Sequence, residues 1–122
     1  MQRTERRTSR SPNVTEALRL QLRRSAHLSG ASSMVLADDD GLVLASSRND
    51  AVAEEVAAVA RFLGSSGTHE GPLPSSAGPQ HVSVHRFGRS PARLYLCALG
   101  GRAEVRAVEI HRAIRGIERI LS

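Results

Sequence analysis

The sequence has 122 residues and a formal net charge of +5, with 40% apolar side chains and only 2% aromatic ones. This length suits a single domain, whose core must consist mainly of Val, Leu, Ile and Ala. All 17 basic residues are arginines, which excludes a lysine-containing phosphate-binding loop and lysine Schiff-base chemistry. The single cysteine, Cys97, excludes an internal disulfide and a cysteine-rich zinc site.

The positive charge is concentrated at the N-terminus. Residues 1–24 contain seven arginines and two glutamates, whereas the rest of the chain is neutral overall. Residues 1–12 have only Met1 as an apolar residue, which predicts a disordered basic tail, either an electrostatic anchor or a solvated leader. Association with nucleic acid or an acidic membrane is expected only through residues 1–24. No apolar run is long enough to span a bilayer and no secretory signal is recognised, so we expect a cytoplasmic protein.

The first predicted element is an amphipathic helix. Apolar residues recur every four positions over residues 14–26, with arginines on the other side. Pro12 suits the first helical position, and Asn13 with Glu16 resembles a capping box. The Ser-Gly pair at residues 29–30 predicts the end of this helix.

A β-hairpin is predicted next. Two β-prone runs, residues 32–37 and 42–47, flank Asp-Asp-Asp-Gly at residues 38–41, which is a strong turn signal. The three aspartates lack the spacing and the terminal glutamate of an EF-hand calcium loop, so we interpret them as turn residues.

Asp50 is predicted to cap a second helix over Ala51–Leu63, which Gly64 ends. This helix is apolar on more than one side, so it is buried either inside the domain or against a partner, and the small size of the chain favours a partner. The candidate dimer or partner interface consists of Val52, Ala53, Val56, Ala57, Val59, Ala60, Phe62 and Leu63.

Residues 64–79 are rich in glycine, proline and serine, which predicts a long loop without regular structure. Residues 80–87 then alternate, which predicts a strand that buries Val82 and Val84. The residues expected on its outward face are His81, Ser83 and His85, with both histidines solvated. Residues 92–99 are almost entirely apolar, as expected for a central strand that contains Cys97 as a core residue.

Apolar residues at steps of three and four predict a closing helix over residues 102–121. Arg48, Arg61 and Arg106 are the candidates for a catalytic arginine. Because the chain has 17 arginines, we interpret all three as surface charge. No catalytic, cofactor-binding or metal-ligating residue is assigned, because no set of convergent titratable groups can be assembled.

Interspersed helices and antiparallel strands predict an α+β fold in which helices sandwich an antiparallel sheet. With this order, the sequence resembles the Roadblock/dynein light chain domain family, a profilin-like fold found in bacterial regulators of Ras-like small GTPases. The resemblance covers residues 13–122 in the order α-β-β-α-(β)-β-β-α. It rests on residues 34–38, 40–46, 53–60 and 94–96 and on the closing helix.

The resemblance implies a non-catalytic, homodimeric scaffold or regulator that binds a Ras-like small GTPase, as GTPase-activating regulators do, without a cofactor. Family members pair through the second helix and an adjacent edge strand. That strand would fall within residues 64–79, where the sequence predicts none, so the sheet edge would become residues 81–87. The competing hypotheses are nucleic-acid or acidic-membrane association through the basic tail, and a small-ligand sensory domain.

Overall fold

A computed structural model describes residues 12–122, and the predicted tail lies outside this range except for Pro12. The elements are α1 (Pro12–Ser29), β1 (Ser33–Asp38), β2 (Val43–Ser46), α2 (Ala51–Leu63), β3 (Thr68–Leu73), β4 (Gln80–Phe87), β5 (Leu94–Leu99) and α3 (Ala103–Leu121). The five strands form one antiparallel sheet in the order β2-β1-β5-β4-β3. The predicted α+β class and the α-β-β-α-β-β-β-α order are confirmed.

Helix α1 begins at Pro12, so Asn13 lies inside the helix and the predicted capping box is wrong. The Glu16 carboxylate instead accepts a hydrogen bond from Nε of Arg19 at 3.1 Å, one turn along the helix. The predicted end of α1 is confirmed, because Gly30 follows Ser29 with a φ of 70° that favours glycine.

The aspartate-rich turn between β1 and β2 is also confirmed. The Oδ1 atom of Asp38 accepts the N–H groups of Asp40 at 2.9 Å and Leu42 at 3.0 Å, which closes the turn. Within residues 12–122, no group of three or more His, Cys, Asp or Glu side chains could hold a metal ion.

The sheet separates two apolar cores, because successive side chains of a strand point to opposite faces. Helix α2 covers one face, and α1 and α3 together cover the other. On β5, for example, Cys97 points toward α2, whereas Leu96 and Ala98 point toward α1 and α3. This confirms that the apolar run of β5 is a central strand, and burial raises the pKa of the Cys97 thiol to about 12.

The loop predicted over residues 64–79 is wrong in its middle. Thr68–Leu73 forms β3, which pairs with β4 from Thr68 opposite His85 to Leu73 opposite Gln80. An edge strand needs hydrogen-bond partners on one side only, so it tolerates Pro72, which a central strand would not. The edge of the sheet is therefore β3 and not β4.

The face of β4 that was predicted to be exposed to solvent is partly covered by α3. Ser83 is only 3% exposed, because this face packs under α3. His81 is exposed as predicted, but the His85 ring contacts the His111 ring of α3 at a centroid distance of 4.9 Å. Desolvation, together with the charge of His111, lowers the pKa of His85.

Candidate interaction site

Half of the residues predicted to form the interface lie on the side of helix α2 that packs against the sheet. Asp50 caps the helix as predicted, since its side chain accepts the N–H of Ala53 at 3.0 Å. This cap sets where the helix begins. The predicted interface residues that lie in the core, at 2% exposure or less, are Ala53, Val56, Ala57 and Ala60. These four are corrected to core residues, because no partner can reach them.

The other half of the predicted set remains accessible on α2. Phe62 is 69% exposed, and the Arg61 guanidinium carbon lies 5.7 Å from the centroid of its ring. Ala58, one turn before Phe62, is also exposed, but the predicted interface does not include it. Its spacing of four residues from Phe62 places both side chains on the same side of the helix, which could have identified it. We define the α2 surface as these apolar exposed or half-buried residues: Val52, Ala58, Val59, Phe62 and Leu63.

Two turns border the α2 surface. At one border, the β1–β2 turn packs against the helix, so that a Cβ on Gly41 would lie 3.5 Å from the Cα of Ala58. The next residue, Leu42, is 46% exposed and adds apolar area there. At the other border, the N–H of Ser76 in the β3–β4 turn donates to Oε1 of Glu55 at 3.0 Å. This hydrogen bond lowers the pKa of Glu55.

Strand β3 continues from α2 after a short turn and leaves one side of its backbone unpaired within residues 12–122. Its alternate residues face opposite layers. Leu73 packs on the core under α2, whereas Glu70 contacts α3. The Nε2 atom of His69 is buried and has no hydrogen-bond partner within residues 12–122.

A buried arginine fastens the edge strand to α3. Arg106 is 1% exposed, and its Nη2 pairs with the Glu70 carboxylate. Its Nε donates to Oγ of Ser83 at 2.8 Å, and that hydroxyl donates in turn to Glu70. Its Nη1 donates to the carbonyl oxygens of Gly100 at 2.8 Å and Gly101 at 3.0 Å. The interpretation of Arg106 as surface charge is therefore wrong.

The position of Arg106 in the helical repeat could have revealed its burial. Arg106 lies four residues before Ile110, on the side of α3 that also buries Ala113 and Ile117. An arginine in line with an apolar stripe is buried together with that stripe, and a buried guanidinium needs acceptors for its donors.

Three solved structures with this arrangement of elements are MglB proteins. MglB from Myxococcus xanthus aligns with a TM-score of 0.62 and 12% identity, over 88% of this chain and 89% of that chain. The gliding protein MglB of Thermus thermophilus aligns with a TM-score of 0.64 and 17% identity, over 90% and 92% of the two chains. The third, an MglB with a tetrameric arrangement, aligns with a TM-score of 0.65 and 17% identity, over 90% and 91%.

The chain has the MglB fold. This fold is the Roadblock fold, so the fold implied by the sequence resemblance is confirmed. No family profile matches the sequence, and no curated protein matches it either. The likeness to MglB is therefore one of structure, carried by about nine-tenths of the chain at low sequence identity.

Proposed function

We propose that this protein is a homodimeric, non-catalytic regulator that binds a Ras-like small GTPase in the cytoplasm. The fold supports this proposal, because the Roadblock resemblance implies such a regulator and the chain is similar in structure to MglB. The observation that carries it is the apolar α2 surface, on the helix that is followed in the chain by β3, an open edge of the sheet.

The α2 surface supplies the apolar contact of the proposed dimer. Phe62 is the most exposed large apolar side chain of residues 12–122, at 69%. Full burial of a phenylalanine side chain contributes about 1.5–3 kcal/mol. In a twofold dimer the same residue is buried in both copies, so each such contact counts twice.

Strand β3 supplies the second contact, by pairing with β3 of the other copy and extending the sheet across the dimer. Pro72 has no N–H group, so it removes one donor from this edge. The residues whose N–H groups point away from β4 are Thr68 and Glu70, and these two keep their donors. We therefore assign most of the binding free energy to the α2 surface, and the alignment of the two copies to β3.

The dimer is tested by introducing a charge on the α2 surface. Phe62→Asp should convert a dimer into a monomer in size-exclusion chromatography with light scattering, because a carboxylate would be desolvated in the interface. Val108→Asp is the matched control, since Val108 is 51% exposed on α3 and lies outside the α2 surface. A monomeric wild type at tens of micromolar would contradict the proposal.

The GTPase partner is tested with a Ras-like GTPase encoded in the same genome. We expect the dimer to bind the GTP-loaded form more tightly than the GDP-loaded form and to accelerate single-turnover hydrolysis. We propose that the regulator acts by ordering the GTPase's own residues and supplies no arginine finger, so Arg61→Ala should retain the acceleration. Loss of an arginine finger, by contrast, would cost about 10³–10⁵-fold. Equal binding of both nucleotide states would refute the regulatory role.

A further inference from the structure

An arginine-lined groove lies between α1 and α3, on the other side of the sheet from α2. Its volume is about 490 Å³, and it opens to solvent. The charged residues that line it are Arg24, Arg112, Arg115, Arg119 and Glu109. We call it the α1–α3 groove.

The positive charge of this groove is not balanced by other side chains within residues 12–122. The single acidic group of its lining, Glu109, is 6% exposed and accepts a hydrogen bond from Arg112 at 3.0 Å. Within residues 12–122, Arg24, Arg115 and Arg119 form no ion pair. Three guanidinium groups therefore converge on one groove without a counter-charge from the described part of the chain.

The chemistry of these groups matches phosphate. A guanidinium presents its N–H donors in a planar fork that fits phosphate oxygens, so several of them around one groove form a receptor for phosphate esters. The lining contains no aromatic side chain on which a nucleic-acid base could stack. A phosphate ligand without bases therefore fits the groove better than RNA or single-stranded DNA.

Exposed leucines beside the arginines select a lipid among the phosphate ligands. Leu20, Arg24 and Leu28 follow each other at four-residue intervals along one side of α1. Leu20 is 52% exposed and Leu28 is 51% exposed, although both belong to a helix with its own buried face. An arginine between two exposed leucines on one side of a helix suits contact with the headgroup region of a membrane.

We propose that the α1–α3 groove binds the phosphate headgroups of an anionic membrane, with Leu20 and Leu28 at the boundary of the acyl chains. This binding is peripheral, since no helix within residues 12–122 is long and apolar enough to cross a bilayer. It does not compete with pairing through α2, which covers the opposite face of the sheet. The arginines that precede α1 in the sequence add attraction toward the same lipids.

The test is flotation of the full chain with phosphatidylglycerol-containing vesicles and with neutral phosphatidylcholine vesicles. We expect binding to the anionic vesicles only, weakening as salt rises. The groove variant is Arg24→Gln with Arg115→Gln and Arg119→Gln. It should bind about a hundredfold more weakly, since each arginine near an anionic surface contributes roughly a fivefold factor.

The matched control removes the same charge elsewhere, through Arg61→Gln with Arg89→Gln and Arg93→Gln, all exposed residues outside the groove. It should bind at least tenfold more tightly than the groove variant. Equal losses in both triple variants would overturn the proposal, because net charge alone would then explain the binding. Wild-type affinity in the groove variant would overturn it as well.

Two further measurements decide the occupant. Leu20→Ser with Leu28→Ser should weaken vesicle binding about tenfold while leaving the circular dichroism spectrum unchanged, and an unchanged affinity would overturn the role of the leucines. If the wild type ignores anionic vesicles but binds RNA or an acidic peptide through the same three arginines, the membrane proposal is refuted.

Discussion

The guanidinium of Arg106 on α3 pairs with the carboxylate of Glu70 on β3, so the edge of the sheet is fastened to the helix that packs beneath it. Arg106 is almost completely buried, whereas the Glu70 side chain is 49% exposed. Besides its ladder to β4, the edge strand is therefore tied to α3 by one buried cation, which also binds the carbonyls of Gly100 and Gly101.

Arg106→Met should lower the free energy of unfolding by about 3 kcal/mol, because it leaves buried Ser83, the Glu70 carboxylate and two carbonyl groups without their donor. Arg106→Lys should rescue little, since one ammonium group cannot satisfy the same set of acceptors. Equilibrium denaturation in urea measures both changes. The control is Arg89→Met, since Arg89 is exposed in the turn after β4 and its loss should change stability little.

Stability should fall as the pH drops below about 6.5, the ordinary pKa of histidine. The pKa of His85 is lowered in the folded chain, so the unfolded chain takes up a proton first and is stabilised relative to the native state. Urea denaturation at pH 7 and pH 5.5 should show this loss. His85→Phe should reduce it, whereas the exposed His81→Phe should leave it unchanged. A pKa of His85 above 6.5 in a titration followed by NMR would contradict the argument.

Cys97 should resist thiol reagents in the folded protein. Its pKa of about 12 keeps the thiol protonated at pH 8, and it lies in the core without solvent contact. We expect labelling at pH 8 to proceed only as fast as the chain unfolds, and to become rapid in denaturant. Fast labelling without denaturant would show that β5 is accessible and would contradict its central position.

His69→Leu should raise the urea midpoint. The buried Nε2 atom of His69 lacks a partner within residues 12–122, and an unsatisfied buried polar atom costs about 1–3 kcal/mol. The expected gain is about 1 kcal/mol, because the leucine also loses part of the ring contact. His81→Leu is the control, as His81 is exposed on the neighbouring strand and should give no gain. A loss of stability in His69→Leu would mean that the ring has a structural partner.

The elements with strong local signals were predictable from the sequence. Asp50 and Gly64 bound α2 as expected, because a capping carboxylate and a terminating glycine act on their own neighbours. The aspartate-rich turn ending in Gly41 is correct for the same reason, since its hydrogen bonds link residues four positions apart or less.

The misses involve contacts between residues far apart in the chain. Strand β3 is held by its ladder to β4, and the local composition around Gly71 and Pro72 argues against a strand. Ser83 and Arg106 lie 23 positions apart and meet only because α3 covers β4. The α2 surface falls between these cases. The helical period separates its sides, but only the packed sheet determines which side remains exposed.

The two cores on either side of the sheet share the backbone of β1, β4 and β5. If either helical layer detached, one face of these strands would be exposed to water while the other face remained packed. We therefore expect the domain to unfold in one cooperative transition, with coincident loss of helix and of buried tyrosine signal. A destabilising substitution under α2 and one under α3 should then shift the same single melting temperature.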